Sequence, residues 1–86
     1  MQTDELLGKT VVLDTATPWV YMGTLISEDG PFYVLENADA FDSSETTLGK
    51  HEYLMMVAKD GIVVNRNRVW VHKRQVVSLS LLEDIR

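Results

Sequence analysis

The chain has 86 residues, 45% of them hydrophobic and 24% charged, with no cysteine. That length supports a single domain, expected to span residues 1–86, and the lack of cysteine excludes a disulfide framework or a thiolate metal site. The net charge of −5, from 13 acids and 8 bases, argues against wholesale coating of nucleic acid but leaves room for a focused basic site.

The charge is unevenly placed. Residues 1–50 carry nine acids against two lysines, whereas residues 51–86 carry six bases against four acids. Between Lys59 and Arg74, five bases face only Asp60, with His72 in addition. Such a stripe reads either as a solvated face balanced by acids elsewhere or as an anion-binding surface. No apolar run approaches the ~18 residues of a membrane span, and Asp4 and Glu5 stand where a secretory leader carries Lys or Arg. A cytoplasmic location without membrane contact is the expectation.

In chain order, Thr3–Gly8 predicts one or two turns of helix. Its acids suit the positive end, Gly8 stops it, and Leu6 and Leu7 would tether it to a core. Lys9–Asp14 is a short β-branched strand, broken by Thr15–Pro18 because proline donates nothing to a ladder. Trp19–Ser27 is a long strand with apolar residues on both faces, and Gly23 inside it predicts a sharp bend or a close backbone approach. Glu28–Pro31 is a turn, so Phe32–Asn37 returns as the second arm of a hairpin. Ala38–Lys50 is polar and reads as a loop, in which Asp39, Asp42 and Glu45 form a solvated acidic segment without the spacing of a calcium loop. His51–Ala58 reads as a further strand, followed by a turn at Lys59–Gly61. Ile62–Val71 leaves two options, a hairpin extension around Lys59–Gly61 or a helical turn at Asn65–Arg68. Val76–Leu82 alternates, with Val77, Leu79 and Leu81 on one face and Ser78 and Ser80 on the other.

These five or six short strands predict a small antiparallel barrel or sandwich behind a short N-terminal helix. Strands apolar on both faces need a cover on the second face. Another copy of the chain, paired edge to edge, is the expected cover.

The layout resembles the Sm-like family. The residues that carry the resemblance are Leu7-Gly8-Lys9 before the first strand, Gly23-Thr24-Leu25 with Asp29 four residues on, and the hydrophobic strand Phe32–Ala38 ending in Glu36-Asn37-Ala38. A variable segment follows, then an Arg-bearing stretch for which Val64-Asn65-Arg66 with Val69-Trp70-Val71 is the nearest match. The resemblance implies a mostly β fold, a short N-terminal helix and a strongly bent five-stranded antiparallel barrel. It also implies rings closed by edge-strand pairing, and RNA bound at the inner rim through two loops. In the first loop Asp29 matches the acid, and Phe32 stands where the family has Asn. In the second, Asn65-Arg66 stands where the family has Arg-Gly.

Independently of the resemblance, Arg66, Arg68, Lys73, Arg74 and His72 are the leading candidates for binding phosphate, because guanidinium forks pair with it bidentately and ammonium groups attract it. Trp70 offers a stacking surface. The competing reading packs Trp70 in an interface and pairs the bases with acids of a neighbouring copy. Trp19, Tyr21, Phe32 and Tyr33 read as core or interface, and Met55-Met56 as flexible packing. No nucleophile–base constellation, phosphate-cradling glycine loop, cofactor signature or metal-ligand spacing is present.

The expected function is therefore non-catalytic binding of RNA or single-stranded DNA by a homo-oligomeric ring of about five to seven subunits. The expected site is Asp29, Phe32, Asn65, Arg66, Arg68, Trp70, Lys73 and Arg74, with no cofactor. The alternative is a structural or protein-interaction ring of the same fold that binds no nucleic acid.

Overall fold

A computed structural model describes residues 3–86. Five strands, β1 (Thr10–Thr15), β2 (Trp19–Asp29), β3 (Phe32–Asp42), β4 (Arg66–His72) and β5 (Val76–Leu81), form one antiparallel sheet in the order β4-β3-β2-β1-β5. A 3-10 turn over Thr3–Leu6 precedes them. The chain thus has the mostly β, strongly bent five-stranded architecture expected above, with β4 and β5 as its open edges.

The N-terminal turn docks through Leu6, which is buried, while Leu7 is exposed. One side chain of the pair suffices because the tether is also a backbone one: the Gly8 N–H donates to the Leu25 carbonyl at 2.8 Å.

The bend in the sheet comes from a mismatch between β2 and β3. Met22 pairs with Asp39 and Thr24 with Glu36, so Gly23 faces two residues of the partner strand. Asn37 takes a positive φ of 50° at this bulge, a conformation that asparagine tolerates better than most residues. Gly23 admits the close approach of Ala38, whose Cα would lie 3.0 Å from a Cβ at position 23. The sharp turn that returns the chain at Gly30-Pro31 uses the positive φ of Gly30, 56°.

One face of the sheet encloses Val11, Leu13, Leu25, Leu35, Ala38 and Val71. The other face is covered by a helix, α1 (Lys50–Asp60), which buries Leu54 and Val57 against Val12, Val20 and Met22. This corrects two expectations. The segment His51–Ala58 is helical rather than a strand, and the second face of the sheet is covered from within the chain, by α1, over these residues. Leu54 and Val57 are three residues apart, the spacing of one helix face, and Tyr53 beside Leu54 stacks on Phe41 with ring centroids 3.8 Å apart. Glu52 Oε1 accepts the Gly49 N–H at 3.2 Å at the start of the helix, and the Gly61 N–H donates to the Val57 carbonyl at 2.8 Å at its end.

Two polar clusters fix α1 in place. Lys50 Nζ, in its first turn, donates to Asp14 Oδ1 at 2.7 Å and to the carbonyls of Thr15 and Thr17 at 2.9 and 2.6 Å. Asp39, read from sequence as part of a solvated loop, lies on β3 and is 1% exposed. Its carboxylate accepts the Tyr53 hydroxyl at 2.5 Å and the Asn65 amide at 3.2 Å. Burial, and then the hydrogen bond to Asp39 and its charge, push the Tyr53 phenol up to about 12.

The register at β5 departs from simple alternation. Leu79 and Leu81 pack inward, but a shift in the β1–β5 pairing at Asp14/Thr15 puts Val76 inward in place of Val77. Val77 is therefore exposed.

Candidate nucleic-acid interface

The eight expected site residues separate into two groups. Asp29, Phe32, Lys73 and Arg74 come together, where the β2–β3 turn meets the 3-10 turn Lys73–Gln75 that joins β4 to β5. Asn65, Arg66, Arg68 and Trp70 lie at or along β4. Arg66 and Arg68 are strand residues and not members of a loop, and neither the hairpin extension nor the helical turn considered for this stretch is formed. The reason is pairing: Arg66, Arg68 and Trp70 stand opposite Ala38, Glu36 and Val34 of β3.

The junction of the two turns is built from backbone outward. The Lys73 N–H donates to the Pro31 carbonyl at 2.8 Å, which locks one turn to the other. His72 caps the 3-10 turn by accepting the Arg74 N–H on Nδ1 at 3.1 Å. That bond requires Nδ1 unprotonated. The Phe32 ring meets the His72 ring edge-on, with centroids 5.3 Å apart. Lys73 Nζ sits 5.3 Å from the centre of the Tyr33 ring and 3.4 Å from Glu28 Oε1. Arg74 and Asp29 are exposed at the rim. The junction therefore offers two cations, two carboxylates and three aromatic rings at and beside two adjoining turns, a set able to hold a phosphate and the face or edge of a base.

Tyr33 and Glu28 were absent from the expected set, whereas His72 stood among the candidates of the basic stretch. The basic run Lys73-Arg74 was visible in sequence, but the contact between this turn and Phe32 arises only from the folded order of β3 beside β4.

Asn65 is tied into the neighbouring strand β3. Its side chain pairs with the backbone of Ala40, accepting the N–H at 2.9 Å and donating to the carbonyl at 3.1 Å, and its own N–H donates to the Ala38 carbonyl at 2.9 Å. These bonds, with the one to Asp39, anchor the entry to β4. Beyond that anchor, Arg68 Nη2 contacts Glu36 Oε2 at 2.9 Å on the surface, and Arg66 Nη1 donates to the Asn65 carbonyl. Trp70 is 49% exposed. Among the described residues no group of three His, Cys, Asp or Glu side chains is placed to hold a metal ion.

No protein-family model and no curated protein matches the chain. Among solved structures it resembles the Pyrococcus abyssii Sm protein in complex with a uridine heptamer, with a TM-score of 0.61 and 19% identity over 91% of this chain and 89% of that one. It also resembles a Sm-like archaeal protein from Pyrobaculum aerophilum, with a TM-score of 0.58 and 25% identity over 91% of this chain and 46% of the other. A chain of the NatC complex bound to CoA matches with a TM-score of 0.61 and 13% identity over 99% of this chain and 90% of its own length. The chain has the Sm-like fold.

Proposed function

We propose that this Sm-like chain assembles through its open edges, β4 and β5, into a homo-oligomeric ring of about five to seven subunits. In this reading the ring binds single-stranded RNA without catalysing a reaction. The observation that carries the binding is the junction of the β2–β3 and β4–β5 turns, where Lys73 and Arg74 stand beside Phe32 and His72. The Sm protein solved with a uridine heptamer supports it. Ring multiplicity turns one weak phosphate contact per subunit into useful avidity.

The test pairs sedimentation of the 86-residue chain with oligouridylate binding across a salt series. A ring gives a stable mass of several subunits at micromolar protein. Binding through phosphates gives an affinity that falls as salt rises, with a log–log slope of about −0.7 per neutralised phosphate. Lys73→Gln with Arg74→Gln lowers the affinity and flattens that slope while the mass stays unchanged. A monomeric wild type refutes the ring. A ring that binds no RNA or DNA at low salt refutes the nucleic-acid reading and leaves the structural ring, which the acidic net charge and the likeness to a chain of the NatC complex favour.

A further inference from the structure

Along β4, Arg66, Arg68, Trp70 and His72 pair in turn with Ala38, Glu36, Val34 and Phe32. Alternation along a strand puts these four side chains on one face, while Val69 and Val71 pack into the core on the other. Residues two apart in a strand are separated by about 6.7 Å. The stripe therefore runs cation, cation, indole, imidazole over about 20 Å. It is exposed at Arg66, Arg68 and Trp70 and ends where His72 touches Phe32 at the turn junction.

From this continuity we infer that the outer face of β4 is a second binding track for single-stranded RNA, entered from the turn junction. The inference rests on the reading of that junction given above. Trp70 stacks on a base, and Arg66 and Arg68 contact the phosphates on one side of it. A second copy of the chain is the other conceivable cover. The opposite edge, β5, carries no carboxylate to neutralise the two arginines, whereas a polyanion both neutralises them and supplies rings for the indole. The Arg68–Glu36 pair is a surface pair with both partners more than 40% exposed. Such a pair is weakly held, so a phosphate exchanges with Glu36 at little cost. Glu36 thus limits affinity along the track.

Labelled oligouridylates of about 3 and about 12 nucleotides separate the junction from the track. Trp70→Ala is expected to weaken binding of the longer strand about tenfold and to leave the shorter one unchanged. Arg66→Gln with Arg68→Gln does the same and lowers the salt slope for the longer strand only. Glu36→Gln frees Arg68 and tightens the longer strand. Lys73→Gln with Arg74→Gln weakens both strands, because it acts at the junction. A direct readout leaves the track intact: with Trp19→Phe, Trp70 is the remaining indole, and its fluorescence is quenched by the longer strand. The track is refuted if Trp70→Ala and the arginine pair bind both strands as the wild type does, or if Trp70 fluorescence does not respond. It is also refuted if Trp70→Ala changes the oligomeric mass, since the face then lies between copies. Failure of the wild type to bind either strand instead refutes the junction reading, and the track falls with it.

Discussion

Replacing Gly23 by alanine tests the bend that positions the whole candidate interface. A Cβ at this position would lie 3.0 Å from the Ala38 Cα, 3.1 Å from its Cβ and 3.1 Å from the Glu36 carbonyl oxygen. Two of these three atoms are backbone, held in the longest ladder of the sheet, so no side-chain rotation relieves the contact. The strands must separate by a few tenths of an ångström. Overpacking of this kind costs about 1–3 kcal/mol. Loss of glycine entropy in the unfolded chain returns about 0.4–1 kcal/mol. The net is a destabilisation of about 1–2 kcal/mol, which in a domain of this size lowers the melting temperature by roughly 4–16 °C. Gly23→Val, with two further methyls in the same space, costs more. Thermal and urea unfolding followed by circular dichroism measure the loss. Ala38→Gly in the Gly23→Ala background removes one of the three contacts and is expected to recover part of it, giving a favourable coupling in a double-mutant cycle. A Gly23→Ala protein as stable as the wild type would refute the close-approach argument.

Further outcomes follow from the contacts of α1. Lys50→Met leaves the carbonyls of Thr15 and Thr17 without their ammonium donor and is expected to cost about 1–3 kcal/mol in urea unfolding; an unchanged midpoint would show that the helix start is held by packing alone. Tyr53 holds its proton more tightly folded than unfolded, so its contribution is complete below about pH 10. That contribution is lost as pH rises toward the folded value of about 12. Tyr53→Phe should therefore lower stability at neutral pH and make stability fall less steeply between those two values; parallel pH profiles of variant and wild type would contradict this. Asn65→Ala removes three side-chain bonds at the entry to β4. It should raise amide exchange at Ala40 and Arg66 before it changes exchange in β1, and a uniform change across the sheet would argue against a local anchor.

The parts of the fold legible in the sequence were those encoded by neighbours. Gly30-Pro31 between two β-rich runs marks the hairpin, and Gly23 in an apolar strand marks the close approach. The helix α1 was not legible because Leu54, Met55, Met56 and Val57 form an unbroken apolar run, as fitting for a buried strand as for a helix. Only Leu54 and Val57 of that run are buried. The signals that favour the helix, Glu52 three residues after Gly49 and a closing Gly61, are short and easily passed over. The loop assignment of Ala38–Lys50 failed for a related reason. Asp39 and Asp42 look solvated in sequence, but Asp39 is tolerated inside because Tyr53 and Asn65 arrive from elsewhere in the chain to bond it. At the candidate interface, residue types were readable and their grouping was not. The bend and strand order bring Lys73 to Pro31, whereas pairing with β3 draws Arg66 and Arg68 out along an edge.

The helix also changes what assembly must accomplish. Strands apolar on both faces suggest a subunit that needs a neighbour to bury its second face, and α1 meets that need within the chain over Val12, Val20 and Met22. What the described residues leave unsatisfied is at the margins: the open ladders of β4 and β5, with Trp70 on one and Val77 on the other. Edge pairing satisfies ladder donors and acceptors without requiring the sheet face, so a ring and an internally covered face are compatible. The charge distribution fits the same division. In the first half Asp14, Glu28 and Glu36 are paired, Asp42 caps a turn and Asp39 is buried, while Arg66, Arg68, Lys73 and Arg74 line one open edge and the turn that ends it. Cations grouped along one edge of an acidic protein are the arrangement that the proposed binding of a polyanion there would need.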